Sequence, residues 1–337
     1  MTNKEHTIKI SVVMPAFNIE RYVGRATKSV LAQTRPADEI IVVDDGSTDD
    51  TAAEIKKFGE QVRYIHQENS GPGAARNTGI KAARYEWIAF LDGDDEWLNQ
   101  RLEKQINLLS RNSELMWCNS NYFCCLCNDN RRGPRIEPDR AKAILGEKEY
   151  FDNYFLACRH KAIACSDTVL IRREVFEEVG LFREDRNYAE DVDMWWRIAF
   201  RRPKVGYIAE PLAVYHMDRK GTLTEEFTHN NLRIHIELLE RHLKAAAEHH
   251  QLEQFESLAS YLVTSWIRSM LFEGNAVGIQ KLLERFGYLV KPGFSVLVRL
   301  LIVFPRFTAG CCHAISRVVR FFKLRRRIIR RPARSRG

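Results

Sequence analysis

Short apolar segments alternate with amphipathic segments through the first 110 residues, and this alternation constrains the fold more than any other feature. Strands that alternate with helices of about 10 to 15 residues are typical of βαβ units, which build a parallel sheet covered by helices. We expect Ser47 to cap the second helix, because Asp50 follows it as in a capping box. The predicted strands are 8–14, 39–43, 62–66 and 86–91, and the predicted helices are 21–33, 48–58, 73–83 and 97–109.

The alternation loosens after residue 110. The segment 115–127 has an extended pattern, and 128–138 is polar and rich in turn-forming residues. From 226 to 290 the spacing is helical only. Between these segments we predict strands at 168–171, 204–208 and 212–216, and helices at 148–155, 173–179 and 189–200.

Polar or glycine-rich residues follow each of the first four predicted strands. In an open α/β sheet, ligands bind beyond the carboxyl ends of the strands, so these four segments should meet in one crevice. They are Pro-Ala-Phe-Asn at 15–18, Asp-Asp-Gly-Ser at 44–47, the segment 69–77, and Asp-Gly-Asp-Asp at 92–95.

The acidic turn at 92–95 gives the sharpest chemical signal. Alternating carboxylates on a tight turn can hold a hard divalent cation and leave positions open for water or phosphate oxygens. A diphosphate leaving group needs such charge neutralisation. The alternative is a solvated Asp-rich turn, and the apolar strand that runs directly into it favours the metal site.

Asp44 and Phe17 suit the recognition of a nucleotide. A carboxylate at Asp44 can accept hydrogen bonds from a base N–H or a ribose hydroxyl, although the helix dipole would also favour an acid there. Phe17 can stack on a base or serve as a core aromatic. Arg76 stands where a dinucleotide-binding GxGxxG motif would need its third glycine, and the chain has no Walker A sequence.

Six segments together resemble family 2 glycosyltransferases of the GT-A fold, in the order of that family and over about residues 10–217. The resemblance implies an α/β fold with a mostly parallel central sheet flanked by helices, followed here by a C-terminal helical extension. It also implies a nucleotide-sugar donor, most often uridine-linked, and Mn or Mg. The segments are SVVMPAFN (11–18), IIVVDDGSTDDT (40–51), NSGPGAARNTGI (69–80), FLDGDDEW (90–97), VLIRREVFEEVGLF (169–182) and YAEDVDMWWRIA (188–199).

The same resemblance implies roles for individual residues. Asp191 would be the general base, which we expect the dipole of its helix to keep ionised. The alternative is that Glu190, Asp191 and Asp193 merely decorate the start of that helix. The implied donor-nucleotide contacts are Pro15, Ala16, Phe17, Asp44, Arg76 and Asp92, the metal ligands Asp94 and His216, and the acceptor-side residues Glu190 and Trp195.

The expected function is therefore inverting transfer of a hexosyl or N-acetylhexosaminyl group from a nucleotide diphosphate sugar, with UDP favoured, to an acceptor hydroxyl. The acceptor would be a cell-surface polysaccharide or a lipid-linked glycan. One alternative is a nucleotidyltransferase that makes sugar nucleotides, but the first strand lacks the Gly-rich basic loop of such enzymes. The other alternative is a non-catalytic protein with a basic tail. The presence of all four acidic residues, Asp44, Asp92, Asp94 and Asp191, argues against it.

The expected domains are 1–225, with a nucleotide-binding half at 8–110 and an acceptor half at 111–225, then the extension 226–290 and a tail 291–337.

Charge is distributed unevenly along the chain. The net charge is +8, yet 14 Lys or Arg and no acidic residue follow Glu284, so the first 284 residues carry a net −6. The apolar stretch 294–304 is too short to span a bilayer, and mixed apolar and Arg residues suit helices at a membrane surface. We expect the tail to bind anionic lipid rather than nucleic acid. The alternative is a solvated basic end.

The eight cysteines cluster rather than spread, with four at 118–127 and two at 311–312. The chain starts with a polar segment and shows no apolar signal region there, so we expect a reducing, cytoplasmic location with peripheral attachment to the inner face of the cell membrane. A zinc site at 118–127 would need a second CxxC or CxxH half. Buried strand residues are the favoured interpretation of that cluster.

Overall fold

A computed structural model describes residues 8–126, 131–185, 189–217 and 232–303. These divide into two compact units. Residues up to Arg233, together with Glu240–Gln254, form the first unit, and Ile234–Leu239 together with residues from Phe255 form the second. The domain boundaries expected from the sequence stay a prediction, and most of the predicted tail lies outside the described residues.

The first unit is built on one mixed sheet, in the order β3-β2-β1-β4-β9-β6-β10-β5, with β7 beside β6 and β8 beside β10. The neighbours β3, β2, β1 and β4 are parallel, and so are β6 and β10. This confirms the predicted α/β class and its mostly parallel central sheet. The strands are β1 (Ile10–Ala16), β2 (Glu39–Asp45), β3 (Arg63–Gln67), β4 (Trp87–Phe90), β5 (Glu96–Trp97), β6 (Trp117–Leu126), β7 (Arg131–Pro134), β8 (Tyr150–Phe151), β9 (Leu170–Arg172) and β10 (Val205–His216).

The helices of the first half follow the predicted positions to within a few residues, and the helical pattern predicted for 226–290 is confirmed over its described part, from residue 232. Within the described residues, the helices are α1 (Val23–Leu31), α2 (Thr51–Lys56), α3 (Pro72–Ala82), α4 (Arg101–Arg111), α5 (Pro138–Leu145), α6 (Tyr154–Arg159), α7 (Glu174–Val179), α8 (Glu190–Arg201), α9 (Leu232–Glu248), α10 (Leu252–Glu273), α11 (Ala276–Phe286) and α12 (Pro292–Leu301).

Two helix starts were predicted wrongly because tertiary contacts override local pattern. The segment 97–100 is not helical, since Trp97 pairs with Ala213 of β10 and its indole Nε1 donates to the backbone oxygen of Asp167 at 2.8 Å. Ser47 is not a helix cap, because α2 begins at Thr51 and the Ser47 hydroxyl accepts the backbone N–H of Asn18 at 3.0 Å.

The second half contains three further departures from the predicted elements. The predicted helix 148–155 is wrong, because β8 pairs with β10 and α6 begins only at Tyr154, where the side chain of Asn153 accepts the N–H of Phe155. The two predicted strands 204–208 and 212–216 are one strand, β10, whose pairing with β6 is irregular around Pro211. The segment 128–138, predicted to form turns, contains the strand β7 and ends at the residue where α5 begins.

Close packing of α3 on β1 fixes the helix that carries Arg76. A Cβ atom added to Gly79 would lie 2.2 Å from Cγ1 of Val13, far inside van der Waals contact. Only a residue without a side chain allows this approach. The α3 helix therefore lies unusually close to the strand from which the Pro15–Phe17 segment emerges.

We predict that Gly79→Ala lowers the free energy of unfolding by about 1–3 kcal/mol, because the added methyl group overpacks the α3–β1 contact. The matched control is Gly24→Ala in α1, where an added Cβ meets nothing within 4 Å. That change should be neutral or stabilise by up to about 1 kcal/mol, since alanine has the higher helix propensity. Urea denaturation of both variants, and of Gly79→Ala combined with Val13→Ala, tests this. If Gly79→Ala costs as much stability in a Val13→Ala background as in the unmodified protein, the overpacking explanation fails.

Candidate active site

The four polar segments predicted from the sequence meet at one edge of the sheet. Ala16 at the end of β1 lies beside Asp44 of β2, and Asp44 lies beside His66 of β3. On the other side of β1, Val13 pairs with Phe90, so the acidic turn after β4 emerges next to Pro15. A Cβ on Gly93 would lie 3.0 Å from the backbone oxygen of Pro15, so glycine permits this close approach.

Phe17 presents an aromatic face at this edge. Its side chain is 44% exposed, whereas Ala16 is buried and Pro15 is half-buried. The next residue, Asn18, has a φ of 50°, and its side-chain oxygen accepts the backbone N–H of Thr48 at 2.8 Å. This bond ties the end of β1 to the loop after β2 and holds Phe17 outward.

Asp44 is buried and already accepts several hydrogen bonds. Its Oδ1 accepts the backbone N–H of Ser47 at 3.0 Å, and its Oδ2 accepts the hydroxyl of Tyr64 at 2.7 Å. Burial alone would raise the pKa of Asp44, but hydrogen bonds from Ser47, Tyr64 and His66 outweigh it and lower that pKa. Burial and the bond to Asp44 raise the pKa of Tyr64 to about 12. Asp44 is therefore a fixed carboxylate at neutral pH.

Arg76 forms a buried bridge between two distant acidic residues. Its Nη2 donates to Oδ1 of Asp92 at 2.6 Å, and its Nη1 donates to Oε1 of Glu190 at 2.8 Å. The guanidinium also lies 5.5 Å from the ring centre of Phe182. Burial lowers the pKa of Arg76, but the charges of Asp92 and Glu190 outweigh it, so the group stays cationic. The resemblance implies that Arg76 contacts the donor nucleotide, whereas in the structure its two Nη groups are bonded to the carboxylates of Asp92 and Glu190.

Asp167, which the sequence analysis missed, supports the acidic turn from behind. Its Oδ1 accepts the backbone N–H of Asp92 at 2.8 Å, and its Oδ2 accepts the thiol of Cys165 at 3.2 Å. Burial and the charge of Asp92 raise the pKa of Asp167 to about 7. No pattern around this lone acid points to the turn, which lies 75 residues earlier.

Asp95 faces Asp167 and is also buried. Its Oδ1 accepts the backbone N–H of His216 at 2.8 Å, which fastens the end of β10 to the turn. Burial and the charge of Asp167 raise the pKa of Asp95 well above its ordinary value. Since two carboxylates this close and this dry disfavour a double negative charge, the pair holds a proton near neutral pH.

Within the part of the chain that the structure describes, Asp92, Asp95 and Asp167 form the one group of side chains arranged to hold a metal, with ligand atoms within 4.8 Å of one another. This acidic cluster is consistent with a divalent metal. The cysteines of β6 are outside the group, and Cys127 lies outside the described residues. Asp95 and Asp167 are closed to solvent, so only Asp92 of the three faces the crevice.

The two residues implied as metal ligands flank that cluster. Asp94 is half-buried on the turn, and its backbone oxygen accepts Nη2 of Arg25 at 2.7 Å. The Nε2 atom of His216 lies 3.0 Å from Oε1 of Glu96. Arg25 also approaches Glu96, at 3.3 Å, so these groups form one network around the turn.

Asp191 lies in the first turn of α8, next to the Arg76 bridge. Its Oδ1 accepts the N–H of Val192 at 2.7 Å. The expectation that the helix dipole keeps it fully ionised is wrong, because burial and the charge of Glu190 raise its pKa to about 7, against the opposing effect of Arg76. The helix begins after Ala189, whose φ of 56° is strained for a residue with a Cβ.

A second ionic network fixes α8 from its other face. Both oxygens of the buried Asp193 are used, since Oδ2 accepts Nε of Arg197 at 2.8 Å and Oδ1 lies 3.1 Å from Nε2 of His242. Burial would raise the pKa of Asp193, but these two partners lower it to about 2. Asp193 therefore has a structural role, unlike its neighbour Asp191.

Trp195 is fully buried. Its ring packs at 5.8 Å from Phe182 and 6.4 Å from Phe90, between ring centres. A residue that contacts an acceptor must be accessible, so we leave Trp195 out of the acceptor side and assign it to packing beneath α8. Glu190 is also buried, and it acts through Arg76.

Known proteins resemble this chain in sequence and in fold. The model of the family described as Glycosyl transferase family 2 matches residues 11–180. The putative glycosyltransferase EpsH of Bacillus subtilis is 29% identical over 288 residues, which cover 83% of this chain and 81% of EpsH. An uncharacterized glycosyltransferase of Rickettsia felis is 33% identical over 62% of this chain, which spans only 33% of that relative. The crystal structure of S. aureus TarS 1–349 in complex with UDP-GlcNAc aligns with a TM-score of 0.66 and 18% identity, over 92% of each chain, which confirms the GT-A-like fold.

We predict that Arg76→Met lowers the free energy of unfolding by about 3–5 kcal/mol, because it leaves Asp92 and Glu190 without their shared cation. The control is Arg84→Met, whose side chain is 71% exposed beside Glu39 and should matter by less than about 1 kcal/mol. Urea denaturation compares the two variants with the unmodified protein. Equal effects at the two positions would contradict the bridge.

Proposed function

The chain belongs to glycosyl transferase family 2, and we propose from this premise that it moves a sugar from a nucleotide diphosphate sugar to an acceptor hydroxyl with inversion of configuration. The Glu190–Arg76–Asp92 bridge carries this proposal, because it couples the helix of the proposed base, Asp191, to the turn proposed to hold the diphosphate.

The donor nucleotide would lie across the ends of β1 and β2. The exposed ring of Phe17 offers a stacking surface. The ionised carboxylate of Asp44 is buried, so it would accept a base N–H only after the Tyr64 hydroxyl that it now accepts moves aside. Pro15 and Ala16 form the backbone beneath that ring. We propose UDP as the nucleotide and a hexose or N-acetylhexosamine as the sugar, and UDP-GlcNAc, the compound bound to TarS, is the first donor to test. A thermal-shift screen of nucleotide sugars, with and without Mn, tests this choice and that of the metal together.

A divalent metal, Mn or Mg, would be held by Asp94 with Asp92, with His216 nearby. These groups offer the oxygen-rich ligand set that hard cations prefer, and both carboxylates are accessible from the crevice. When bound, the metal would neutralise negative charge on the diphosphate leaving group. The buried Asp95 and Asp167 would instead keep the turn in shape through Asp92 and His216.

Asp191 would take the proton from the acceptor hydroxyl as its oxygen attacks the anomeric carbon. A general base works best when its pKa lies near the working pH, and that of Asp191 is about 7. Glu190 does not compete for the proton, because its carboxylate is paired with Arg76. The N–H of Val192 fixes Oδ1 of Asp191. The other oxygen, Oδ2, would be the one that takes the proton.

We also propose that the acceptor is a cell-surface polysaccharide or a lipid-linked glycan, and that the tail 291–337 attaches the enzyme to the inner face of the membrane. Among the described residues, none of the helices has both the length and the apolar character to cross a membrane.

We predict that UDP binds at least about tenfold more weakly when Mn is replaced by EDTA, and that Asp94→Asn causes a similar loss in the presence of Mn. Calorimetry measures both. The control is Asp152→Asn, an exposed acid on the surface, which should bind UDP as the unmodified protein does. Equal affinities in all four measurements would contradict a metal held through Asp94.

We predict that Asp191→Asn lowers the rate of UDP release from the donor by a factor on the order of 10²–10⁴, because asparagine keeps the size but loses the basicity. UDP affinity should stay the same. In the unmodified enzyme the rate should fall on acidification through pH about 7, since protonation of Asp191 removes the base. Glu177→Gln, an exposed change on α7, serves as control. A variant with nearly full rate would exclude Asp191 as the base.

A further inference from the structure

The helix α12, in the second unit, is apolar on two opposite faces. On its inward face, Val298 is fully buried, and the ring of Phe294 lies 5.5 Å from the guanidinium of Arg268. Leu301 and Ile302 border a small apolar crevice together with Ile279. These contacts account for the packing of α12 within its unit.

The outward face of α12 is exposed. The apolar strip consists of this outward face and the residue just beyond the helix end: Val296, Leu297, Leu300 and Val303, which are 60%, 50%, 66% and 63% exposed. At about 100° per residue, the three helical members lie within about 100° of one another around the helix axis. A helix that is apolar all round is normally buried, and exposed apolar patches of this kind mark an interaction surface.

The charges near the apolar strip indicate what covers it. Lys291 and Arg299 are exposed at the start of α12 and within it. The sequence from 304 to 337 adds 11 Lys or Arg and no acidic residue. The occupant must therefore offer an apolar interior and a negatively charged surface together. A bilayer that contains anionic phospholipid offers both in one layer.

We propose that α12 lies flat on an anionic phospholipid bilayer, with the apolar strip inserted at the boundary between headgroups and acyl chains and the exposed Arg299 at the headgroups. This inference rests on the proposed peripheral attachment and adds its apolar component. Stable attachment to a membrane generally needs two features, such as an inserted apolar group and a basic cluster. It would also place the enzyme at the surface where a lipid-linked acceptor lies.

The test uses the full chain and vesicles of pure phosphatidylcholine or of phosphatidylcholine with 30% phosphatidylglycerol. The variant is Leu297→Gln with Leu300→Gln, and the matched control is Leu31→Gln with Leu156→Gln, two exposed leucines of the first unit. We expect the unmodified protein to float with the anionic vesicles only, and the variant to bind them at least about tenfold more weakly. The control pair should bind as the unmodified protein does. Raising the salt concentration should weaken the unmodified protein's binding without removing it, because the apolar part is not screened.

Three outcomes would overturn the inference. Equal vesicle binding by the variant and the control pair would show that the apolar strip does not insert. A concentration-dependent dimer that the variant loses in the absence of lipid would assign the strip to a second copy of the chain. A lack of vesicle binding by the unmodified protein, with a fall in melting temperature in the variant alone, would assign it to the chain's own segment 304–337. UDP affinity, measured in the same samples, should stay unchanged and so separates this inference from the proposed transfer reaction.

Discussion

The buried guanidinium of Arg76 is the interaction on which the site depends. It is the cation that joins Asp92, at the end of β4, to Glu190, at the start of α8, although the two acids are almost 100 residues apart in the chain. Without a shared cation, two carboxylates brought together in a dry site would repel each other, and burial would favour their protonation. The close packing of α3 on β1 through Gly79 fixes how far α3, which carries Arg76, lies from the sheet. The bridge therefore depends on that packing.

Around this bridge, neighbouring acids have different roles because their surroundings differ. Asp44 is kept ionised by hydrogen bonds, and Asp193 by Arg197 and His242. At Asp191, burial and the charge of Glu190 outweigh the effect of Arg76 and the bond from the N–H of Val192, so the pKa rises to about 7. Asp95 and Asp167 lie behind the turn and hold backbone groups of His216 and Asp92. One fold thus provides fixed charges, a carboxyl group that titrates near pH 7 and a proton-sharing support at a single edge of the sheet.

Much of this could be predicted from the sequence, because β1, β2 and β4 are apolar runs whose polar ends must share one edge of a parallel sheet. The predicted segments around Phe17, Asp44 and Asp92 do meet there. What could not be predicted depends on contacts between distant residues. Asp167 is a lone acid in sequence, and only the pairing of β4 with β9 brings it to the turn. Trp97 has helical spacing, yet pairing with β10 makes it a strand residue. The burial of Trp195, and the commitment of Arg76 to two carboxylates, likewise follow from packing.

The central claim is that the sugar is transferred in a single displacement at the anomeric carbon, with Asp191 as the base. Water can replace the unknown acceptor, so slow hydrolysis of an α-linked donor such as UDP-GlcNAc reports the stereochemistry directly. Proton NMR, recorded before the free sugar equilibrates, distinguishes the two anomers by their coupling constants. The account predicts that β-GlcNAc appears first and that Asp191→Asn abolishes its formation. The α anomer appearing first would contradict it.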